Sequence, residues 1–281
     1  MKLLVQGDDF GFTRGVTCGI VDAIDRGVLR NTGLFSNMPD ASFAVSYMKD
    51  RPEVCFGIDF NIVSGPSVSD KHDIPHLVDH DGMFIRSGER LKDARFSTEN
   101  GRKEMFPYDE VYTEIRAQYE KFMTLAGKEP GYFHAHSLPT ENYNAAIRQL
   151  SKETGIPYSV DIMKQYSVVS TMQIMFERVK KEHHVPMKMS KQFDPLEQLN
   201  KNPLQIVFDC EKELLKSDYA MIGGHPGFLD AELLEMSSLS IERIRDHEML
   251  ISEKLKNWIE INHVELITYY DLYQGQESLS A

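Results

Sequence analysis

Two hydrophobic periods alternate along the whole chain. Short continuous apolar runs mark strands buried on both faces, and between them lie longer stretches whose apolar residues recur every three or four positions, as in amphipathic helices. The first run is Leu3-Leu4-Val5, followed over 13–26 by a helical pattern of Val16, Ile20, Ala23 and Ile24, with Thr13 as N-cap and Gly27 as stop. Strand-like segments recur at 32–38, 54–62, 131–138, 158–162, 219–223 and 265–268. Helical patterns occupy 109–125, 141–154, 172–181, 204–216 and 241–261, with a shorter one from Asp40 or Ser42 to Met48.

About seven strand–helix repeats imply parallel strands joined by right-handed crossovers. The predicted fold is therefore α/β: a distorted or incomplete (β/α) barrel of about seven parallel strands, with a doubly wound sheet as the other arrangement. One domain is expected over 1–281. Residues 66–108 interrupt the rhythm. They are turn-rich and weakly periodic, and a long insertion of that kind reads as a wall or lid on the substrate side. His72, His76 and His80 recur there every four residues, but Pro75 falls among them, so they read as solvated loop histidines rather than a ligand row. The run Lys180-Lys181-Glu182-His183-His184 reads as solvated surface, and a polar tail follows the last strand.

Chemistry enters where polar residues interrupt the apolar runs. Asp8 and Asp9 stand together between Gly7 and Gly11. Neighbours on a regular strand face opposite sides, so one carboxylate would enter the core unless the strand ends there and the glycines turn the backbone. Asp59 and Asn61 share a face of a third strand, where an unpaired buried carboxylate is costly. His134 and His136 share a face of the fourth, an arrangement that suits a metal, and at least one of them reads as a ligand. His225 lies in the turn Gly223-Gly224-His225-Pro226-Gly227-Phe228, directly after the sixth strand. A barrel would bring the ends of strands one, three, four and six to one rim, where α/β folds place their chemistry.

Composition narrows the choice. The formal net charge of −12 argues against a nucleic-acid partner and favours a neutral or cationic substrate over a polyanion. Cys18, Cys55 and Cys210 are dispersed, with no Cys-x-x-Cys pair, as expected of reduced thiols in a cytoplasmic protein. No stretch approaches the roughly 18 uncharged apolar residues of a membrane span, so no membrane association is expected.

Taken in order, these motifs resemble the YdjC/ChbG-like carbohydrate deacetylases, relatives of the polysaccharide deacetylases, over nearly the whole chain. Asp8-Asp9-Phe10-Gly11 matches the family's DDFG, and Asn37 falls where the second strand's asparagine is expected. Gly57-Ile58-Asp59-Phe60 followed by Gly65-Pro66 matches a segment that usually reads G-x-H-h (h apolar) and then G-x-P. Pro130 to His136 matches P-T-H-h-D-S-H, and Gly224-His225-Pro226-Gly227-Phe228 resembles C-H-P-x-F. Two residues depart from the pattern: Asp59 replaces a metal-binding histidine, and His134 replaces the aspartate of D-S-H.

The resemblance implies a divalent metal on Asp9, Asp59 and His136, with His134 as a further ligand candidate, Asp8 as general base and His225 as general acid. Two carboxylates and one imidazole favour Mg²⁺, with Mn²⁺ and Zn²⁺ as alternatives. The implied substrate is a small N-acetylated carbohydrate of the chitooligosaccharide type, and packing into a homodimer is compatible with the fold. Because of Asp59 and His134, a non-catalytic or chemically altered sugar- or metal-binding homologue is the alternative. A phosphoesterase on the same barrel would need basic residues near the metal, and the strand ends offer none.

Overall fold

The computed structural model describes residues 1–183 and 194–273. Its strands are β1 (Lys2–Phe10), β2 (Asn31–Leu34), β3 (Cys55–Phe60), β4 (Phe133–Ala135), β5 (Val169–Ser170), β6 (Tyr219–Gly224) and β7 (Glu265–Ile267). All are parallel, in the order β4-β3-β2-β1-β6-β5, with β7 added on β1. The expected barrel is thus a curled, open sheet with helices around it, β4 and β5 forming its two free sides.

β1 is central, and Leu3, Leu4 and Val5 are wholly buried. One edge pairs with β6 in unbroken register from Lys2–Tyr219 to Gly7–Gly224. The other edge is shared, Lys2–Leu4 pairing with β7 and Gln6 onward with β2. Asn31 closes the seam between these two partners. Its Nδ2 donates to the Val5 carbonyl at 3.1 Å and the Ile267 carbonyl at 3.2 Å, and its Oδ1 accepts the Tyr269 N–H at 2.9 Å.

Several elements differ from expectation. The segment 158–162 is not a strand: Tyr158 makes a single bridge to Phe133, and its carbonyl then accepts the Asp161 and Ile162 N–H groups at the start of the helix Ser159–Gln165. The alternation Tyr158-Ser159-Val160-Asp161-Ile162 has the period of a strand, but five residues are too few to exclude a helical turn. The expected helix 204–216 is two helices, Pro203–Asp209 and Glu211–Lys216. Likewise 241–261 divides into Ile241–Ile251 and Glu253–Ile261, with Ser252 capping the second. Residues 66–108 contain helices at Ser87–Lys92 and Glu99–Met105 and bury Ile74, Leu77, Phe84 and Phe106. In the run 180–184 only the Lys180 side chain is among the described residues, where it is exposed, and the tail beyond 273 lies outside them.

The start of the 66–108 segment is fastened from below. Asn37 Nδ2 donates to the carbonyls of Ser64 (3.0 Å) and Pro66 (3.1 Å). The buried Glu114 carboxylate accepts the N–H groups of Val68 and Ser69 at 3.0 and 2.9 Å, together with Gln118 Nε2 at 2.8 Å. Asn37 is therefore a structural fastener here.

Candidate metal and active site

The two adjacent aspartates are accommodated by a bulge. β1 does not end at Gly7 but runs on to Phe10, and its register against β2 shifts between Gly7 and Phe10. Asp9 takes a positive φ of 74°, a conformation that aspartate tolerates better than most residues and that is uncommon outside turns and functional sites. Strict alternation is broken there, and both carboxylates reach groups at the same rim.

Asp8, Asp59 and His134 each present a ligand atom within 4.8 Å of the other two. Asp59 is wholly buried on β3. Its Oδ2 accepts the Asp9 N–H at 2.9 Å, while its Oδ1 is buried without a hydrogen-bond partner. Burial, then the charges of Asp8 and Asp9, push its carboxyl well above the usual range. Room for this carboxylate depends on Gly33 of the neighbouring strand, where a Cβ would lie 2.1 Å from Asp59 Oδ1. His134 is fixed from behind, its Nδ1 lying 2.8 Å from Ser159 Oγ, which turns Nε2 toward Asp8 Oδ2 at 4.0 Å. That separation is too long for a hydrogen bond and suits two donors on one ion. Burial lowers the His134 pKa despite the opposing charge of Asp8, favouring the neutral imidazole that a metal requires. An unpartnered buried oxygen, a second carboxylate and a neutral imidazole are a donor set that fits a hard divalent cation.

Asp9 belongs to an adjoining group. Its Oδ2 accepts from Arg243 Nη2 at 2.6 Å, and its Oδ1 lies 3.0 Å from His136 Nδ1. Burial alone would raise its pKa, but the charges of His136 and Arg243 hold it well below the usual carboxylate range. The approach of His136 is an ion-pair contact rather than a hydrogen bond: Asp9 Oδ1, like Asp59 Oδ1, is buried without a hydrogen-bond partner. The His136 ring meets Phe35 edge-on at 4.7 Å.

His225 follows β6, whose Gly224 pairs in register with Gly7. Its backbone N–H donates to Asp246 Oδ2 at 2.7 Å. The buried Asp246 carboxyl is pushed up to about 6, chiefly by burial, against the effect of that hydrogen bond. His225 is near enough to bias the titration of His134 and Asp9 electrostatically.

Six expected residues therefore fall into two adjoining groups and a flanking turn: Asp8, Asp59 and His134; Asp9 and His136; and His225. The expected ligand trio of Asp9, Asp59 and His136 is not among the three-residue groups whose donors lie within 4.8 Å, among the described residues. His76 pairs with Glu110, and His80 with Asp81, both well exposed. Arg243 and Asp246 escaped the strand-end reading because they come from a helix. Their signal is spacing: Arg243, Asp246 and Leu250 occupy the buried stripe of Ile241–Ile251, where two ionised groups need partners.

A family model described as YdjC-like protein matches residues 2–261. The chain belongs to the YdjC-like family. Carbohydrate deacetylase 2 of Listeria innocua is 32% identical over 277 residues, spanning 97% of this chain and 99% of that protein. The carbohydrate deacetylase of Geobacillus stearothermophilus is 27% identical over 273 residues, covering 96% and 98%. Among solved structures, an Enterococcus faecalis protein described in connection with cellobiose-phosphate cleavage aligns with a TM-score of 0.72 and 23% identity over 96% of this chain and 98% of that one, which supports the fold. In this YdjC-like protein the two departures from the family pattern, Asp59 and His134, are register partners on β3 and β4. A carboxylate and an imidazole therefore still stand side by side, with their places exchanged.

Proposed function

We propose that this chain is a metal-dependent carbohydrate deacetylase that hydrolyses the N-acetyl group of a small sugar of the chitooligosaccharide type. The observation that carries the reading is the convergence of Asp8, Asp59 and His134, with one Asp59 oxygen buried and unpartnered, in a chain whose full-length relatives are named carbohydrate deacetylases. Asp8, Asp59 and His134 would hold the metal, with Mg²⁺ or Mn²⁺ preferred over Zn²⁺ for a site with two carboxylates. When bound, such an ion supplies Lewis-acid polarisation of a carbonyl and acidifies a water.

The chain's own groups account for the proton transfers. Asp9, paired with Arg243, lies against His136, whose imidazole would take a proton from the attacking water. His225 gives a proton to the amine as the C–N bond breaks, leaving acetate and a free amino sugar. Relative to the sequence expectation, Asp8 exchanges the base role for a ligand role, while His136 moves from ligand to base and Asp9 from ligand to the partner of His136. The 66–108 segment would form one wall of the sugar site, and the three free thiols fit a cytoplasmic setting. Retention of a carboxylate–imidazole pair at 59 and 134 disfavours the non-catalytic alternative.

Metal analysis of the purified protein and acetate release from N-acetylated chitooligosaccharides test the reading. Asp8→Asn, Asp59→Asn and His134→Ala should each empty the metal site, whereas His136→Ala should keep the metal and lose about 10²–10⁴-fold in rate. Retained metal in Asp8→Asn, with loss in Asp9→Ala and His136→Ala, would move the ion to the Asp9 side. No acetate release by metal-loaded protein would defeat the enzyme assignment.

A further inference from the structure

Behind the proposed ligands lies a buried polar chain that the mechanism above does not use. Gln6 is 1% exposed and both Tyr269 and Ser159 are wholly buried. Gln6 Nε2 lies 2.6 Å from Asp8 Oδ1, and Gln6 Oε1 lies 2.6 Å from the Tyr269 hydroxyl. The direction of each bond follows from Asp8, because a carboxylate can only accept. The amide must therefore turn its NH₂ to Asp8 and its oxygen to Tyr269, so the phenol must donate. Tyr269 is in turn located by its backbone N–H, which donates to Asn31 at the β2–β7 seam, and by its ring, tilted 35° against Tyr132 with centroids 4.3 Å apart. Ser159 separately holds His134 Nδ1.

We propose that Tyr269, through Gln6, is a positioning residue that sets the aim of Asp8, one of the three proposed metal ligands. A polar glutamine in an apolar central strand is expensive unless both ends of its amide are satisfied. Here both are, and one end is spent on a ligand oxygen. Oriented outer partners of this kind typically govern metal affinity by 10–100-fold. Tyr269 lies outside residues 2–261, the part of the chain that the family model matches. The support is therefore supplied by this chain's C-terminal helix Tyr269–Tyr273. The inference rests on the assignment of Asp8 as a ligand.

The test uses the full chain, stripped of metal and titrated with Mn²⁺, with Co²⁺ loaded in parallel for its visible absorption. Tyr269→Phe removes one hydroxyl and keeps the ring contact. It should weaken Mn²⁺ binding by about 10–100-fold and alter the Co²⁺ spectrum, while the metal-free melting temperature moves little. Gln6→Met, close in volume, should do the same and provides a second route if Tyr269→Phe does not fold. Wild-type affinity and spectrum in both variants, with affinity lost in Asp8→Asn, overturn the support alone. Unchanged affinity in Asp8→Asn overturns the ligand assignment beneath it.

Discussion

Arg243 and Asp9 are 234 residues apart in sequence and meet at 2.6 Å, with side-chain exposures of 1% and 0%. An ion pair so enclosed is weak evidence of net stabilisation, but removing one partner strands the other. Arg243→Met should destabilise the protein by about 3–5 kcal/mol in denaturant unfolding, and Asp9→Asn added to it should recover part of that loss. Because the Asp9 pKa is depressed in the folded state, its stabilising contribution is present above the unfolded value and is lost as pH falls through the folded one. In the Arg243→Met variant that acid-side loss should shrink. An acid limb identical to that of the wild type would contradict the pairing.

Asp59 should behave in the opposite sense. Its carboxyl is raised by burial and by two neighbouring carboxylates, so ionising it destabilises the metal-free fold, and that loss grows as pH rises through the raised value. Asp59→Asn should make the metal-free protein more stable at neutral pH. It should also abolish the stabilisation by metal, which in the wild type reaches about 2.7 kcal/mol at a hundredfold excess over Kd. Melting curves with Mn²⁺ and with chelator measure both effects.

Gly33→Ala places a methyl group 2.1 Å from Asp59 Oδ1 and 2.4 Å from its Cγ. Both atoms belong to a buried side chain, so the strand or the carboxylate must shift. A loss of roughly 1–3 kcal/mol is expected from overpacking, along with a fall in metal affinity. If Gly33→Ala binds metal as the wild type does, the Asp59 carboxylate is not seated over that glycine.

Asp246 carries a carboxyl raised to about 6 by burial. Stability from its protonated form is complete below the ordinary carboxylate value and declines as pH rises through about 6. Asp246→Asn retains an oxygen for the His225 N–H and cannot ionise. It should therefore gain on the order of 2–3 kcal/mol over the wild type above that pH, and the two should converge near pH 4. A constant difference across that range would assign the effect to packing instead.

The positions of six of the seven strands along the chain, β5 excepted, and the polar residues at their ends were legible because each rests on a local pattern: an apolar run, a turn and a polar residue where the run ends. Asp59, His134 and His136 stand out for that reason, since period two assigns faces without a structure. Which aspartate does what was not legible. It depends on a one-residue register shift at Asp8–Asp9 and on an arginine arriving from a helix more than 230 residues away. The 158–162 segment failed for the opposite reason: its pattern fits a strand, but only Tyr158 reaches a partner. Likewise Gln6 reads as an interruption of a core strand until Tyr269 and Asp8 are seen at its two ends.

The shared edge of β1 has a consequence for the order of assembly. β1 precedes every other strand of the sheet and lies at its centre, yet β6 and β7, which flank it, are made after β2 to β5. Until β6 emerges the lower half of β1 lacks both neighbours, until β7 emerges it lacks one, and before residue 269 the amide of Gln6 has no phenol to bind. Contacts of such long range are slow to close, and unpaired strand edges expose a nascent chain to aggregation. The aspartate pair is thus made before the residues that hold it in place, so cation capture at the proposed site should require the chain to extend past Tyr269.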